Sequence, residues 1–325
     1  MKSTNAMKEI GGYYEIEYSN IELGGIHSSA LLLNSGRYAL EYILRANNYR
    51  RIYVPYYICD VIFEPIAACG VEYEFYFVDE QMEPTAIPMV KEDEAFLYLN
   101  NFGFKNDYIP KLASLVNNLI VDNCQALFAP PAPGVDTFYS LRKFAGTPDG
   151  AFLYTNKRLN TELPPYDCTH TTDHLYSRGN VSPNAGFMQF RENEQKLSGI
   201  GMGQMSATTR KFLNTYDFEK NKLARDRNFL HLHHVLGQHN EYQAMDIDSV
   251  CGPLFYPLLT PSATLKQQLI ANKIYVSTVF PAIHKAVPED SYENYLSHQL
   301  IRLPIDQRYS IADMAYMARI VIDNL

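Results

Sequence analysis

The sequence predicts an α/β fold: a large three-layer αβα domain on a mainly parallel sheet, followed by a smaller α+β C-terminal domain. Three observations carry this expectation. Short apolar runs alternate with stretches of helical periodicity from residue 37 to residue 155, and parallel neighbours need crossovers of that kind. Several runs, Leu119-Ile120-Val121 among them, are apolar at consecutive positions, as strands covered on both faces are. The 325 residues, 46% of them hydrophobic, suffice for one big domain and a companion rather than several independent modules.

After an N-terminal arm, residues 1–30, Asn34-Ser35-Gly36 opens an amphipathic helix whose apolar spacing covers 37–44. Strands are expected at 51–55 and 72–78, with a helix at 60–69 between them. Then come a strand at 95–99, a helix at 111–117, and strands at 119–121, 137–140 and 150–155. From 161 to 193 the composition turns to Pro, Asp, His, Ser, Gly and Asn, which reads as a long irregular excursion of the sort that lines sites. Residues 206–236 read as one bridging helix that stops at Gly237. The large domain is thus expected at 31–205 and the small one at 237–325. In the small domain, strands are expected at 254–259, 274–279 and 301–305, with a helix at 263–271. A closing helix begins near Ser310, where Ser310-Ile311-Ala312-Asp313 matches an N-capping arrangement.

Composition argues against several function classes. The net charge of −8, with no concentrated basic face, speaks against a nucleic-acid partner. The first residues lack the apolar stretch of a signal peptide and no window approaches a membrane span, so a cytoplasmic protein without a membrane partner is expected. Five scattered cysteines with no CxxC pair indicate reduced thiols rather than a disulfide framework or a zinc knuckle. The 25 tyrosines suit buried strands and cavity walls equally well, and select no function.

Chemistry concentrates in two residues. Asp122 closes the run 119–121, and Lys143 follows 21 residues later, on the turn after the next strand. A lysine amine can condense with an aldehyde, and sites gather at the carboxyl ends of strands, although an acid that merely caps a strand is common. Ser35-Gly36-Arg37 at a helix start offers backbone N–H groups to an anion, while a simple N-cap explains the same motif. His231, His233 and His234 contain no i, i+4 pair and read as surface or interface residues. His170 and His174 are an i, i+4 pair near Asp167, Cys168 and Asp173, but in a segment that reads as loop, so no metal site is expected.

Taken in order, five segments resemble the motifs of fold-type I enzymes that depend on pyridoxal 5'-phosphate (PLP), and within them the DegT/DnrJ/EryC1 group of aminotransferases. They are Ser35-Gly36-Arg37-Tyr38-Ala39-Leu40, Val54-Pro55-Tyr56-Tyr57, Val121-Asp122-Asn123-Cys124-Gln125-Ala126, Ser140-Leu141-Arg142-Lys143 and Gly146-Thr147-Pro148-Asp149-Gly150-Ala151. The resemblance runs through residues 30–320. It implies that 31–205 is a PLP-binding domain, that Lys143 is the catalytic lysine, and that Asp122 keeps the pyridine nitrogen protonated. It implies phosphate contacts from Ser35, Gly36, Arg37 and Ser140, a place for Gln125 beside the ring oxygen, and Tyr56 or Tyr57 stacked on the ring. Asn100-Asn101-Phe102-Gly103 is a further candidate wall.

The implied reaction moves an amino group from an amino-acid donor to a keto or aldehyde acceptor, with a sugar as one option, in a homodimer whose sites lie at the subunit interface. Two departures qualify the resemblance. Many such enzymes carry a serine five residues before the lysine; here Phe138 stands there, which moves the phosphate contact to Ser140 or Thr137. The Gly-x-Asn-x-Arg-Met segment of many nucleotide-sugar aminotransferases has only a loose counterpart at Ser182-Pro183-Asn184-Ala185-Gly186, which weakens a sugar-nucleotide assignment. The alternatives are a PLP-dependent lyase or dehydratase, the dehydratases of this family having histidine in place of the lysine, and a degenerate protein that keeps the scaffold for binding.

Overall fold

A computed structural model of the chain describes residues 8–17, 25–181, 186–277, 280 and 286–325. A two-residue strand, β1 (Ile10–Gly11), lies in the arm. The central sheet then collects β2 (Leu31–Leu33), β3 (Arg51–Pro55), β4 (Glu72–Tyr76), β5 (Glu94–Leu99), β6 (Leu119–Asp122), β7 (Asp136–Ser140) and β8 (Ala151–Tyr154) in the order β2-β8-β7-β6-β5-β3-β4. β7, β6, β5, β3 and β4 run parallel, each to the next. β8 is antiparallel to both its neighbours. Ten residues separate β7 from β8, too few for a helical crossover, so the chain must turn back.

Helices cover both faces, which explains the uninterrupted apolar strands. On one face α1 (Gly36–Asn47) packs Ala39, Leu40, Ile43 and Leu44 against Val54, Leu97 and Ile120. α2 (Phe63–Ala68) follows a 3-10 turn at Asp60–Ile62 and adds Ile66 to this cluster. On the other face α3 (Tyr108–Leu115) sets Ile109 and Leu112 against Phe96, Tyr98 and Val121. α3 starts three residues earlier than the sequence suggests, because Pro110 sits in its first turn, where no N–H is required.

Two expectations need correction. The excursion after β8 is not wholly irregular: it holds a 3-10 turn at Thr169–Thr171, α4 (Asp173–Asn180) and α5 (Phe187–Lys196). Their polar sequences bury only His174, Leu175 and Asn193, a pattern too sparse to announce a helix. The bridging segment is two helices, α6 (Ala207–Thr215) and α7 (Phe218–Leu236). Tyr216 is extended between them, and Asp217 starts α7 afresh by accepting the Lys220 N–H at 2.9 Å. α7 ends at Leu236, where the sequence suggests, with Gly237 as its C-cap; Gly237 keeps a right-handed backbone and leads into a 3-10 turn.

The remaining elements are β9 (Phe255–Leu259), α8 (Leu265–Ala271), β10 (Ile274–Tyr275), α9 (Tyr292–Gln299), β11 (Leu300–Pro304) and α10 (Ile311–Ile322). β9 and β11 form an antiparallel pair, and β10 pairs in parallel with β1 of the arm. The end of the strand expected at 274–279 falls on residues 278–279, outside the described residues, as do Ser182-Pro183-Asn184-Ala185. α10 begins with a capping box in which Ser310 and Asp313 satisfy each other's backbone N–H groups. No helix among the described residues is long and apolar enough to cross a membrane.

Candidate active site

Adjacent parallel strands end on the same edge of a sheet, so the residues that follow β6 and β7 meet in space. β6 ends in Asp122; β7 ends in Ser140, and the 3-10 turn Leu141–Lys143 carries the lysine. Above this edge lies a cavity of about 810 Å³ whose wall includes Lys143, Ser140, Gln125, Thr147, Ile58 and Cys59. Asp122 is buried, and its Oδ1 accepts the Cys124 N–H at 2.8 Å. Burial pushes its carboxyl above the ordinary carboxylate range, against the opposing pull of the Lys143 ammonium and of the Cys124 N–H. Lys143 is exposed to the cavity.

The start of α1 reaches the same place. A methyl group on Gly36 would lie 2.8 Å from Cys124 Sγ and 3.9 Å from Ser140 Cβ, so the helix N-terminus abuts both the segment after Asp122 and the residue that opens the lysine turn. Ser35, the extended N-cap, makes no capping bond, and its buried Oγ has no partner. Arg37 directs its guanidinium to Glu64, so its side-chain charge is already matched. Gln125 and Thr147, both on the cavity wall, keep Oε1 and Oγ1 buried and unpartnered.

Other sequence candidates lie elsewhere. The Tyr57 ring is fully buried and meets Phe280 edge-on at 5.0 Å, and Tyr56 stacks on Phe75 at 4.4 Å. Neither ring is part of the cavity wall, where the next two residues, Ile58 and Cys59, stand instead. Thr137 spends its hydroxyl on the Val135 carbonyl at 3.1 Å. Asn100 is buried off the cavity wall and braces the segment after Asp122, donating to Asn123 Oδ1 at 2.9 Å and accepting the Lys105 N–H at 3.0 Å.

More of the wall comes from α4, α5, the arm and the C-terminal elements, and includes His174, Arg178, Phe190 and Glu194. The excursion at 161–193 reads in the sequence as a segment that lines a site; the arm does not. Arg142, next to the lysine, is ion-paired with Glu194. Burial would raise the Glu194 carboxyl, but the guanidinium holds it below the ordinary range. His174 is buried, and burial together with the Arg142 charge pushes its imidazole down to about 4, which leaves it neutral at pH 7. Its i, i+4 partner His170 is exposed. Among the described residues no three His, Cys, Asp or Glu side chains gather as a metal site requires. No local signal pointed to this wall apart from the composition shift at 161–193.

No protein-family model and no curated protein matches the sequence. Solved structures match its fold. DesV of S. venezuelae aligns with a TM-score of 0.63 at 16% identity, over 90% of this chain and 84% of that one. A DegT DnrJ EryC1 StrS aminotransferase from Brucella abortus aligns at 0.61 and 16%, over 94% and 91%. E. coli GDP-4-keto-6-deoxy-D-mannose-3-dehydratase, solved with bound hydrated PLP, aligns at 0.61 and 13%, over 96% and 100%. The chain has the fold these enzymes share, the α/β class expected from its sequence; identity this low extends the likeness to the fold alone.

Proposed function

We propose that this chain is a PLP-dependent enzyme, a divergent relative of the DegT/DnrJ/EryC1 group, and that it acts as an aminotransferase. The observation that carries the reading is the convergence, at neighbouring strand ends, of Lys143 on the cavity wall and Asp122, which is buried without bordering the cavity yet near enough to feel the Lys143 charge. The donor set suits a flat pyridine bearing a phosphate. The orphaned Ser35 Oγ, the Thr147 Oγ1, the Ser140 hydroxyl and the backbone N–H groups of Gly36 and Arg37 are phosphate donors, the last two through the open end of α1. Gln125 serves the ring oxygen. Ile58 and Cys59, rather than Tyr57, cover a ring face.

PLP, when bound, supplies an aldehyde that captures amines and a ring that accepts electrons from the substrate carbon. Lys143 provides the resident amine and, once released, a base that moves a proton at the donor's α-carbon. Asp122 holds a proton at the ring nitrogen, where a cationic neighbour compensates its desolvated charge. The donor is an amino acid and the acceptor a keto or aldehyde compound. A homodimer fits the exposed Val181, Phe187 and Met188 beside the cavity, which a second subunit would cover. The fold likeness to a dehydratase keeps a lyase as the second reading; against it stands Lys143, since the resemblance places histidine there in dehydratases.

Titration of the purified chain with PLP should produce a near-visible absorbance band that Lys143→Ala abolishes. A wild-type chain that gives no band sinks the proposal. Single-turnover reaction with glutamate then separates the two reactions: a transaminase retains the amino group, while a lyase releases it or leaves glutamate untouched.

A further inference from the structure

The arm supplies part of the cavity wall that no step of the proposed chemistry uses, and its attachments are unusual. β1 contributes only two ladder residues, with the Ile10 N–H bonded to the Lys273 carbonyl at 2.9 Å and the Gly11 N–H to Tyr309 Oη at 2.6 Å. Beyond it, arginines from two distant segments collect the arm's carbonyls. Arg178 of α4 donates to Gly11 O at 3.0 Å; Arg308 donates to Tyr13 O at 2.9 Å and Gly12 O at 3.3 Å. The fully buried Arg225 of α7 donates to Tyr14 Oη at 2.6 Å.

The arm then crosses the lysine turn with no room to spare. A methyl on Gly146, three residues after Lys143, would sit 1.7 Å from the Glu15 carbonyl oxygen. Gly11 and Gly12 adopt φ of +94° and +75°, which glycine enters at little cost. The Tyr13 ring is held by two contacts, stacked on Phe190 at 5.0 Å and with the Arg178 guanidinium over it at 4.8 Å. Gly11, Gly12, Tyr13 and Tyr14 all border the cavity that Lys143 borders.

We propose that residues 8–17 are a strap across the Lys143 turn in which Tyr13 is a specificity-determining residue, limiting the size of the compound that reaches the lysine, and Gly146 and Arg178 are positioning residues that seat it. The strap stands independently of the cofactor; that its selected compounds are the amine donor and carbonyl acceptor rests on the proposed function. Ile10 anchors the start of the strap in the apolar core, while from Gly11 onward the hold is largely polar.

Reductive alkylation of Lys143 tests it without PLP. An aldehyde condenses with the amine, losing water, and cyanoborohydride delivers hydride to the resulting C=N carbon; peptide mass spectrometry reads the product. Acetaldehyde and benzaldehyde serve as small and bulky probes on the full chain. The wild type should favour acetaldehyde at Lys143, and both Tyr13→Ala and Gly146→Ala should lower that preference by about tenfold, the scale of a steric pocket contact. Hydrogen exchange should show about tenfold lower protection of residues 8–17 in Gly146→Ala and Arg178→Ala, with Arg178→Lys partly restoring it and the β5 and β6 peptides unchanged. An unchanged size preference in Tyr13→Ala, or full arm protection in Gly146→Ala with a native core, overturns the strap. A chain that binds no PLP yet passes both measurements overturns the proposed function and leaves the strap standing.

Discussion

Asp122 and Lys143 stand where the ladder between β6 and β7 puts them, whereas Tyr13, His174 and Arg178, which border the same cavity as Lys143, stand where side chains from remote segments hold them. On the first side the backbone itself is committed: Asp122 pairs with Phe138 and Leu99 across the sheet, and all are buried. On the second, the Arg178–Gly11 bond joins residues 167 apart and the Arg308–Tyr13 bond residues 295 apart. A ladder shifts only in whole steps, and a one-residue slip would invert the face of every side chain. Contacts among side chains can be retuned one at a time. Asp122 and Lys143 thus occupy the part of the molecule that tolerates least change, and Tyr13, His174 and Arg178 the part that tolerates most.

Substitutions on each side should separate the two. The largest effect is expected at Phe96, fully buried in β5 and stacked on Tyr76 at 4.5 Å: Phe96→Ala should cost about 3–5 kcal/mol of stability in chemical denaturation. A loss below about 1 kcal/mol would mean the sheet is not the rigid side. Next, Asp122→Asn should lower single-turnover transamination by about 100-fold or more while the fold persists, as removal of one preorganised electrostatic partner does. Unchanged turnover would remove Asp122 from the chemistry.

On the second side, His174 gives a pH test. Its folded pKa, about 4, lies below the ordinary imidazole value, so the folded state favours the neutral ring. Stability from this residue is complete above pH 6.5 and falls as pH drops from 6.5 through about 4, by up to about 3 kcal/mol before solvent screening reduces it. The protection of the α4 peptide against hydrogen exchange, taken relative to the intrinsic rate at each pH, should fall across that window in the wild type and stay level in His174→Phe; parallel curves for the two would refute the assignment. The smallest effect is expected at Ser310, whose loss to Ala removes a helix cap worth about 1 kcal/mol. Because Asp313 Oδ2 also takes the Lys8 ammonium at 2.8 Å, the same change should loosen the start of the arm, measurable as faster exchange at residues 8–11.

The division also explains what the sequence disclosed. Strands at 51–55, 94–99 and 119–122 announce themselves through local apolar runs, and the pairing of Asp122 with the lysine turn follows from strand order. The reversal of β8 depended on a short connection that the parallel expectation overlooked. The Tyr57 ring is buried edge-on against Phe280, which borders the cavity, so Tyr57 stands one layer behind the wall, a placement made by packing that a run of two tyrosines leaves open. α4, α5 and the arm carry no periodic signal because much of what fixes them lies far along the chain, more than a hundred residues away for the contacts between the arm and α4. Arg178 and Gly146 acquire their meaning only from Glu15 and Gly11.

The carbonyl of Phe144, the residue after the lysine, accepts from Tyr216 Oη at 3.0 Å, Gln307 Nε2 at 3.1 Å and Arg225 Nη2 at 3.4 Å. Three donors from the interhelical joint, the C-terminal turn and the middle of α7 thereby clamp the root of the Lys143 side chain. In the proposed function the lysine is a crank on a bolted axle: its four methylenes supply all the swing, and a shift of the C-terminal half would reach it as torque on that single peptide.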